Sequence, residues 1–281
     1  MKNKNYNKVV KFFKGFKKIG YLDVNFDKIE YYIDLTLNNL NISNKTPQKI
    51  ADCGSGYSLF IPFLACKKKK LNLFMIDDFK SLDSFKTGNN ATESEKVEKN
   101  FLNRANKVFK KLNIKKINLN FEKEKFKFKK NSLDCITSFH CIEHFHSSPK
   151  KFLKECNRVL KPGGTLVLAV PNAVNFRKRI SVLFGNTNYY YLDHYWNQMP
   201  FYGHVREPTK KELKFFCLNS GFVNTKLYGK NFMGIERLVR FLNKIFLSKK
   251  LSRTISNVLL KPLELFPGLC TDLHIVCKKK N

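Results

Sequence analysis

The chain of 281 residues is long enough to bury roughly three quarters of its unfolded surface, so neither disulfides nor a structural metal is needed to hold a core. At 43% hydrophobic and 27% charged it has ordinary globular composition, which excludes collagen-like, fibrous and disordered classes. The outlying figure is a formal charge of +31, built from 53 basic residues of which only 8 are Arg, beside 30 Asn. A biased codon composition produces such a skew, and a nucleic-acid binder would draw more on the planar fork of Arg. Solvated lysine surface is therefore the favoured reading, contact with an anionic membrane the second, and nucleic acid is disfavoured.

The longest apolar run, Leu59 to Cys66, is less than half the ~18 residues of a spanning helix and contains Pro62. Phe12, Phe13, Phe16 and Ile19 are separated by lysines instead of forming the apolar stretch of a signal peptide. Eight cysteines with no C-x-x-C pair among them are the usage of a reduced compartment. The expectation is a cytoplasmic protein, with peripheral attachment to a membrane left open.

In chain order, the spacing of Val9, Phe12 or Phe13, Phe16 and Ile19 predicts a basic amphipathic helix over 6–20. A second helical stretch covers 26–40, and Asn41 to Pro47 is a linker. Lys49 to Cys53 reads as a strand running into Gly54-Ser55-Gly56, followed by an apolar helix from Ser58 to about Cys66. Leu71 to Ile76 is a second strand ending at Asp77 and Asp78. Thr92 to Glu95 forms a capping box for a helix with Phe101, Ala105, Val108 or Phe109 and Leu112 on one face. Ile117 to Phe121 and Leu133 to Phe139 are the third and fourth strands.

A helix capped by Ser148 and Pro149 runs to Leu160 and is stopped by Lys161-Pro162-Gly163-Gly164; Thr165 to Val170 is the fifth strand. After Pro171-Asn172 comes an aromatic insertion, Asn188 to Tyr202, and then a second capping box, Thr209 to Glu212, on a helix that Gly221 closes. Phe222 to Tyr228 and Asp272 to Cys277 are the last strands. Between them 235–265 reads as basic amphipathic helix with Leu238, Phe241 or Leu242 and Ile245 on one side. Five strand–helix alternations followed by two late strands predict an α/β domain with a mostly parallel sheet.

Ligands in such sheets bind beyond the carboxyl ends of the strands. At the first of these ends the glycine turn lets backbone approach a ligand, and the following helix offers its N–H groups. A dinucleotide fingerprint would need a third glycine at position 59, which is Leu59. Asp52 would repel a pyrophosphate but suits a cationic amino-acid head group.

Asp52-Cys53-Gly54-Ser55-Gly56 resembles motif I of the class I S-adenosylmethionine-dependent methyltransferases, and the resemblance extends along most of the chain. Asp77 matches the acidic residue that takes the ribose hydroxyls, with Asp78 one position away, and Glu122 or Glu124 stands where the adenine amino group is met. Leu133 to Phe145, with Glu143-His144, resembles the fourth strand and following loop of the type-11 branch. Arg158 to Gly164, Val170-Pro171-Asn172 and Gly203-His204-Val205-Arg206 complete a match covering 47–172 and 203–228. Ser58 departs from it, standing where many relatives have glycine.

The resemblance implies a Rossmann-like α/β fold: a mostly parallel seven-stranded sheet, helices on both faces and the last strand antiparallel. It implies a methyltransferase domain over 47–281 with substrate-side insertions at about 173–202 and 230–268, preceded by a helical segment, 1–46, that acts as a lid or faces a membrane. The implied cofactor is S-adenosyl-L-methionine, held by Asp52, Gly54, Ser55, Gly56, Asp77, Asp78, Glu122 and His140.

Histidine is the side chain best suited to take a proton near neutral pH. His144, His204 and Glu143 are accordingly the candidate catalytic residues of an O-methyltransferase acting on a small-molecule, glycan or lipid-linked acceptor. An RNA methyltransferase and a non-catalytic binding module that keeps the fold are the alternatives. His140, Glu143 and His144 would share one face of a helix, with His204 from a separate loop. That pattern is similar to the Glu-x-x-Glu-His plus distal His of divalent-metal-dependent O-methyltransferases, including relatives in ubiquinone biosynthesis. Base and wall roles are preferred, and no metal is assigned.

Overall fold

The computed structural model describes residue 9 and residues 25–40, 47–68, 70–79, 91–186, 189, 192–197, 201, 203–245 and 248–281. Apart from Val9, the predicted amphipathic helix over 6–20 lies outside the described residues, as do linker residues 41–46, about half of the aromatic insertion and the side chains of the Thr92 to Glu95 box. Chain contacts divide the protein into two units: residues 1–138 with 158–165 and 281, and residues 139–157 with 166–280. A seven-stranded sheet in the order β3-β2-β1-β4-β5-β7-β6 contains six parallel strands and one antiparallel.

The first unit begins with α1 (Phe26–Asn38), whose N-cap Asn25 accepts from Lys28 N. β1 (Gln48–Cys53), α2 (Phe60–Lys67), β2 (Leu71–Asp77), α3 (Ala91–Lys111), β3 (Ile114–Asn118) and β4 (Leu133–Phe139) follow. β1 pairs in parallel with both β2 and β4, so its residues are sheet-interior and nearly all buried. The order reverses between β1 and β4, which makes their carboxyl ends the switch point where a ligand crevice opens in this architecture. Phe101 and Phe109 of α3 are buried, each worth about 1.5–3 kcal/mol of transfer. They also grip Tyr57 of the glycine turn, with ring centroids 6.0 and 5.9 Å away.

β3 begins three residues earlier than the apolar pattern indicates, because two lysines are accommodated inside it. Lys116 lies 4.4 Å from the Tyr57 ring centre and 4.2 Å from that of Phe79, and donates to the Tyr57 hydroxyl at 2.8 Å. Lys115 lies over Phe74. The residues expected to continue the strand, Leu119 to Phe121, instead enter a turn that Asn120 and Glu124 close on each other.

The second unit contains three 3₁₀ turns (Ile142–His144, Pro262–Leu265 and Pro267–Leu269), all but the last two residues of α4 (Lys150–Val159), the second half of β5 (Leu160–Pro171), α5 (Phe176–Leu183), α6 (Leu192–Asn197), α7 (Lys210–Leu218), β6 (Phe222–Lys230), α8 (Phe232–Lys244), α9 (Lys249–Leu260) and β7 (Asp272–Lys279). The Thr209 capping box forms with both of its hydrogen bonds, and Gly221 ends that segment at φ +87°. β6 alternates between more and less buried positions as a half-solvated outer strand does, and pairs antiparallel with β7, which is buried over its first six residues.

Two expectations change here. Lys161 to Gly164 does not separate helix from strand: β5 starts at Leu160, directly after α4, and a Cβ on Gly164 would meet the Lys161 carbonyl at 2.7 Å. The arriving carbonyls of Arg158 and Val159 take hydrogen bonds from Asn131 and Ser132 instead of continuing the helix. The basic segment 235–265 is not one helix but α8 and α9, the second with its own cap, the Ser248 hydroxyl accepting from Leu251 N. The buried face of α8 is Ile235 and Val239, while Phe241 and Ile245 are exposed. Buried Ser252 and Ser256 present small side chains on α9, and Arg253 reaches Glu236 of α8 at 2.6 Å.

Candidate active site

Within the first unit, the carboxyl ends of β1, β2 and β4 build a small polar cradle. Gly54 and Gly56 hold φ of +71° and +48°, a conformation that a side-chain-bearing residue adopts only under strain. Gly54 N and Ser55 N donate to the Ile76 carbonyl at 2.9 and 3.4 Å, fastening the turn to the end of β2. Asp77 then receives Gly56 N at 2.9 Å on one oxygen and Phe79 N at 2.7 Å on the other. Its carboxylate organises the turn, and each oxygen keeps a second lone pair for a ligand hydroxyl. Asp78 follows at a half-buried position.

Asp52 is 2% exposed and accepts the Thr137 hydroxyl of β4 at 2.6 Å. Burial drives its carboxyl up to about 7; the Thr137 hydrogen bond opposes this and the charge of Asp77 adds to it. Burial also raises Asp77, against the two backbone N–H groups that lower it. A cationic ligand would relieve both. The hydroxyls of Ser55, Ser58 and Ser138 are buried and have no hydrogen-bond partner among the described residues. Three orphaned hydroxyls beside two reluctant carboxylates fit a polar, positively charged ligand such as S-adenosylmethionine. Of the two adenine-side candidates, Glu124 folds back onto Asn120 N and Glu122 stands half-buried.

The second unit holds the histidines. His140 follows β4 in a left-handed conformation, φ +52°, its backbone N–H bound to the Ala169 carbonyl. Its ring lies between two fully buried carboxylates, Nδ1 3.5 Å from Glu143 and Nε2 3.6 Å from Asp272. The shared helical face expected for His140, Glu143 and His144 does not form, since only Ile142–His144 turns as 3₁₀. The cluster that does form is Glu143, His144 and His204, whose potential ligand atoms all lie within 4.8 Å of one another. The Glu143 carbonyl accepts Val205 N and Arg206 N, which brings the Gly203-to-Arg206 loop onto the 3₁₀ turn.

His144 Nδ1 lies 3.1 Å from the Gly203 carbonyl, which can only accept, so Nδ1 carries a proton. His204 Nδ1 lies 2.7 Å from Glu207 Oε1, and the other Glu207 oxygen pairs with Lys178. Burial works against ionisation of Glu207, but the hydrogen bonds and charges of His204 and Lys178 outweigh it and hold the carboxyl below its ordinary value. Glu207 is therefore an anion that orients the His204 ring. It was missed in the sequence although it stands three residues after His204. So were Thr137, Lys178 and Asp272, whose partners are remote in the chain. Pro171-Asn172, read as a family motif, is structural: buried Asn172 donates to the carbonyls of Gly268 and Cys270 and joins the end of β5 to the start of β7.

His204, Glu207, Lys178, Arg177, Tyr189 and Arg237 are among the walls of a cavity of about 510 Å³ in this unit. No described helix is long and apolar enough to cross a membrane.

Residues 51–168 match the family model described as a methyltransferase domain. No curated protein matches the chain. Solved structures that resemble it share the fold at low identity. Phosphoethanolamine N-methyltransferase 2 of Haemonchus contortus does so at 15% identity and TM-score 0.53, over 89% of this chain and 53% of that one. The cyclopropane synthase MmaA2 of Mycobacterium tuberculosis gives 16% and 0.52, over 88% and 82%. A SAM-dependent methyltransferase of Archaeoglobus fulgidus gives 17% and 0.50, over 90% and 92%. This chain thus spans about half the length of the Haemonchus enzyme. Residues 51–168 therefore constitute a type-11 class I S-adenosylmethionine-dependent methyltransferase domain.

Proposed function

We propose that the chain transfers the methyl group of S-adenosylmethionine to a hydroxyl oxygen of a small-molecule, glycan or lipid-linked acceptor. The cofactor, when bound, supplies an electrophilic methyl on a sulfonium. In this reading Asp52, Gly54, Ser55 and Gly56 hold its amino-acid end, Asp77 and Asp78 the ribose and Glu122 the adenine. Aligning the two reactants is the larger part of the task, worth roughly 7–11 kcal/mol.

The observation that carries the choice of oxygen is the His204–Glu207 pair. A hydroxyl must lose its proton as it gains the methyl, and His204 presents Nε2 to take it while ionised Glu207 holds the Nδ1–H and stabilises the resulting imidazolium. His144 packs edge-on against the His204 ring, centroids 4.8 Å apart, and with buried Glu143 supports it. The test is mass spectrometry of methyl-labelled products formed from labelled S-adenosylmethionine and a metabolite extract. An O-methyl product that disappears with His204→Ala is expected, and an N- or C-methyl product overturns the assignment.

The cluster geometry also favours a second reading. Glu143, His144 and His204 are a donor set that fits a divalent ion, each imidazole already held through its Nδ1 as metal-bound histidines are. Such an ion would lower the pKa of the acceptor hydroxyl. Metal analysis of untagged protein separates the two: below about a tenth of an equivalent, with activity unchanged by chelator, the base reading stands alone.

A further inference from the structure

We infer that the acceptor is a phosphate-bearing molecule whose anionic group is held by Arg177, Arg237, Arg240 and Lys244; this rests on the assignment of the His204 cavity as the acceptor site. These four residues and Phe241 line a second cavity of about 350 Å³, with no carboxylate among its described walls. Arg177 and Arg237 also line the cavity that contains His204 and Glu207, so the two spaces share a wall. An acceptor with its hydroxyl at His204 would direct its far end at the arginines.

The choice of residue is the stronger argument. The chain uses 53 basic residues, only 8 of them Arg, yet three of those eight surround this one cavity. Arg240 also donates to the Glu236 carbonyl at 3.4 Å, and the remaining arginines are used elsewhere. Arg158 and Arg179 bind backbone carbonyls, Arg206 pairs with Glu212, and Arg253 pairs with Glu236. Compositional drift toward lysine explains a diffuse positive surface but not arginine gathered at one place. The guanidinium fork matches phosphate oxygens two at a time, which the lysine point charge does not. The walls of the His204 cavity include two strongly exposed apolar side chains, Tyr189 and Leu192. A phosphorylated metabolite and a phospholipid or polyprenyl-phosphate head group therefore share the required chemistry.

The test is calorimetric titration of the full chain with inorganic pyrophosphate at physiological salt, on wild type, Arg237→Gln/Arg240→Gln and Arg240→Gln/Lys244→Gln. Lys211→Gln/Lys226→Gln, which removes the same charge from exposed positions elsewhere, is the control. Saturable binding is expected in wild type and control, weakened roughly tenfold or more in both cavity variants. S-adenosylmethionine titrated into the same proteins reports whether each variant is folded. Cosedimentation with phosphatidylglycerol vesicles distinguishes the sources: vesicle binding lost in the cavity variants assigns a lipid head group, and pyrophosphate binding without vesicle binding assigns a soluble phosphorylated acceptor. Absence of pyrophosphate binding in wild type, or equal binding by folded cavity variants, overturns the proposal. Pyrophosphate binding with no affinity for S-adenosylmethionine in wild type would leave the anion site standing and remove the methyltransferase reading beneath it.

Discussion

The cradle of the first unit and the histidine cluster of the second are made by different means. In the cradle a few contiguous residues carry nearly everything: two glycines with positive φ, a strand-end aspartate and the N–H groups it collects, all within Asp52 to Phe79. The second cluster is assembled from Glu143, His144, Lys178, His204 and Glu207, with Arg237 beyond, and every member depends on a tertiary contact. A site built on backbone conformation tolerates little change at its glycines. A site built on side-chain pairs degrades stepwise. The first is suited to a constant ligand, the second to one that varies among relatives.

The most damaging single change to the cradle is Gly54→Val, because a β-branched residue at φ +71° is strained and its side chain would enter the space beside the turn. S-adenosylmethionine binding should fall below detection by calorimetry while circular dichroism stays native. In the second unit, His204→Ala should lower turnover by ~10²-fold or more with cofactor affinity unchanged. Glu207→Gln should act in the same direction, through a mis-oriented imidazole. If both variants turn over normally, the dyad has no part in the chemistry.

Next in size, Asp77→Ala should weaken S-adenosylmethionine by about 1.5–3 kcal/mol, the range for hydrogen bonds to a charged group. Asp77→Asn, which keeps an acceptor for Gly56 N, should lose less. If Asp78→Ala is impaired and Asp77→Ala is not, the ribose register shifts by one residue.

The smallest effect concerns pH. Asp52 is raised in the folded protein from an ordinary 3.8 to about 7, so its protonated form is favoured by folding. The stability it contributes is fully present below the unfolded value and is lost as pH rises through about 7. The ligand-free protein should therefore melt higher at pH 6 than at pH 8, a difference that Asp52→Asn flattens. Affinity for the cationic cofactor should run the other way, rising with pH as Asp52 ionises.

This contrast also explains which features were legible in the sequence. β4 was readable to the residue, since Leu133 to Phe139 is a short apolar run buried in the sheet. The Thr209 box and Gly221 were readable because capping is local chemistry. β3 was displaced because Lys115 and Lys116 find aromatic faces that no periodicity announces. The break between α8 and α9 was missed because apolar spacing continues across it, although Ser248 offered a cap. At the second cluster the individual histidines were visible. Their tautomers, the Glu207 anion and the arginines facing them depend on contacts between distant residues.

Calorimetric titration of S-adenosylmethionine into wild type, Asp77→Ala and His204→Ala measures the division of labour between the two regions directly. One site in wild type is expected, with affinity reduced roughly 10- to 150-fold in Asp77→Ala and unchanged in His204→Ala. No binding by wild type, or wild-type affinity in Asp77→Ala together with a loss in His204→Ala, would contradict a cofactor cradle confined to the first unit.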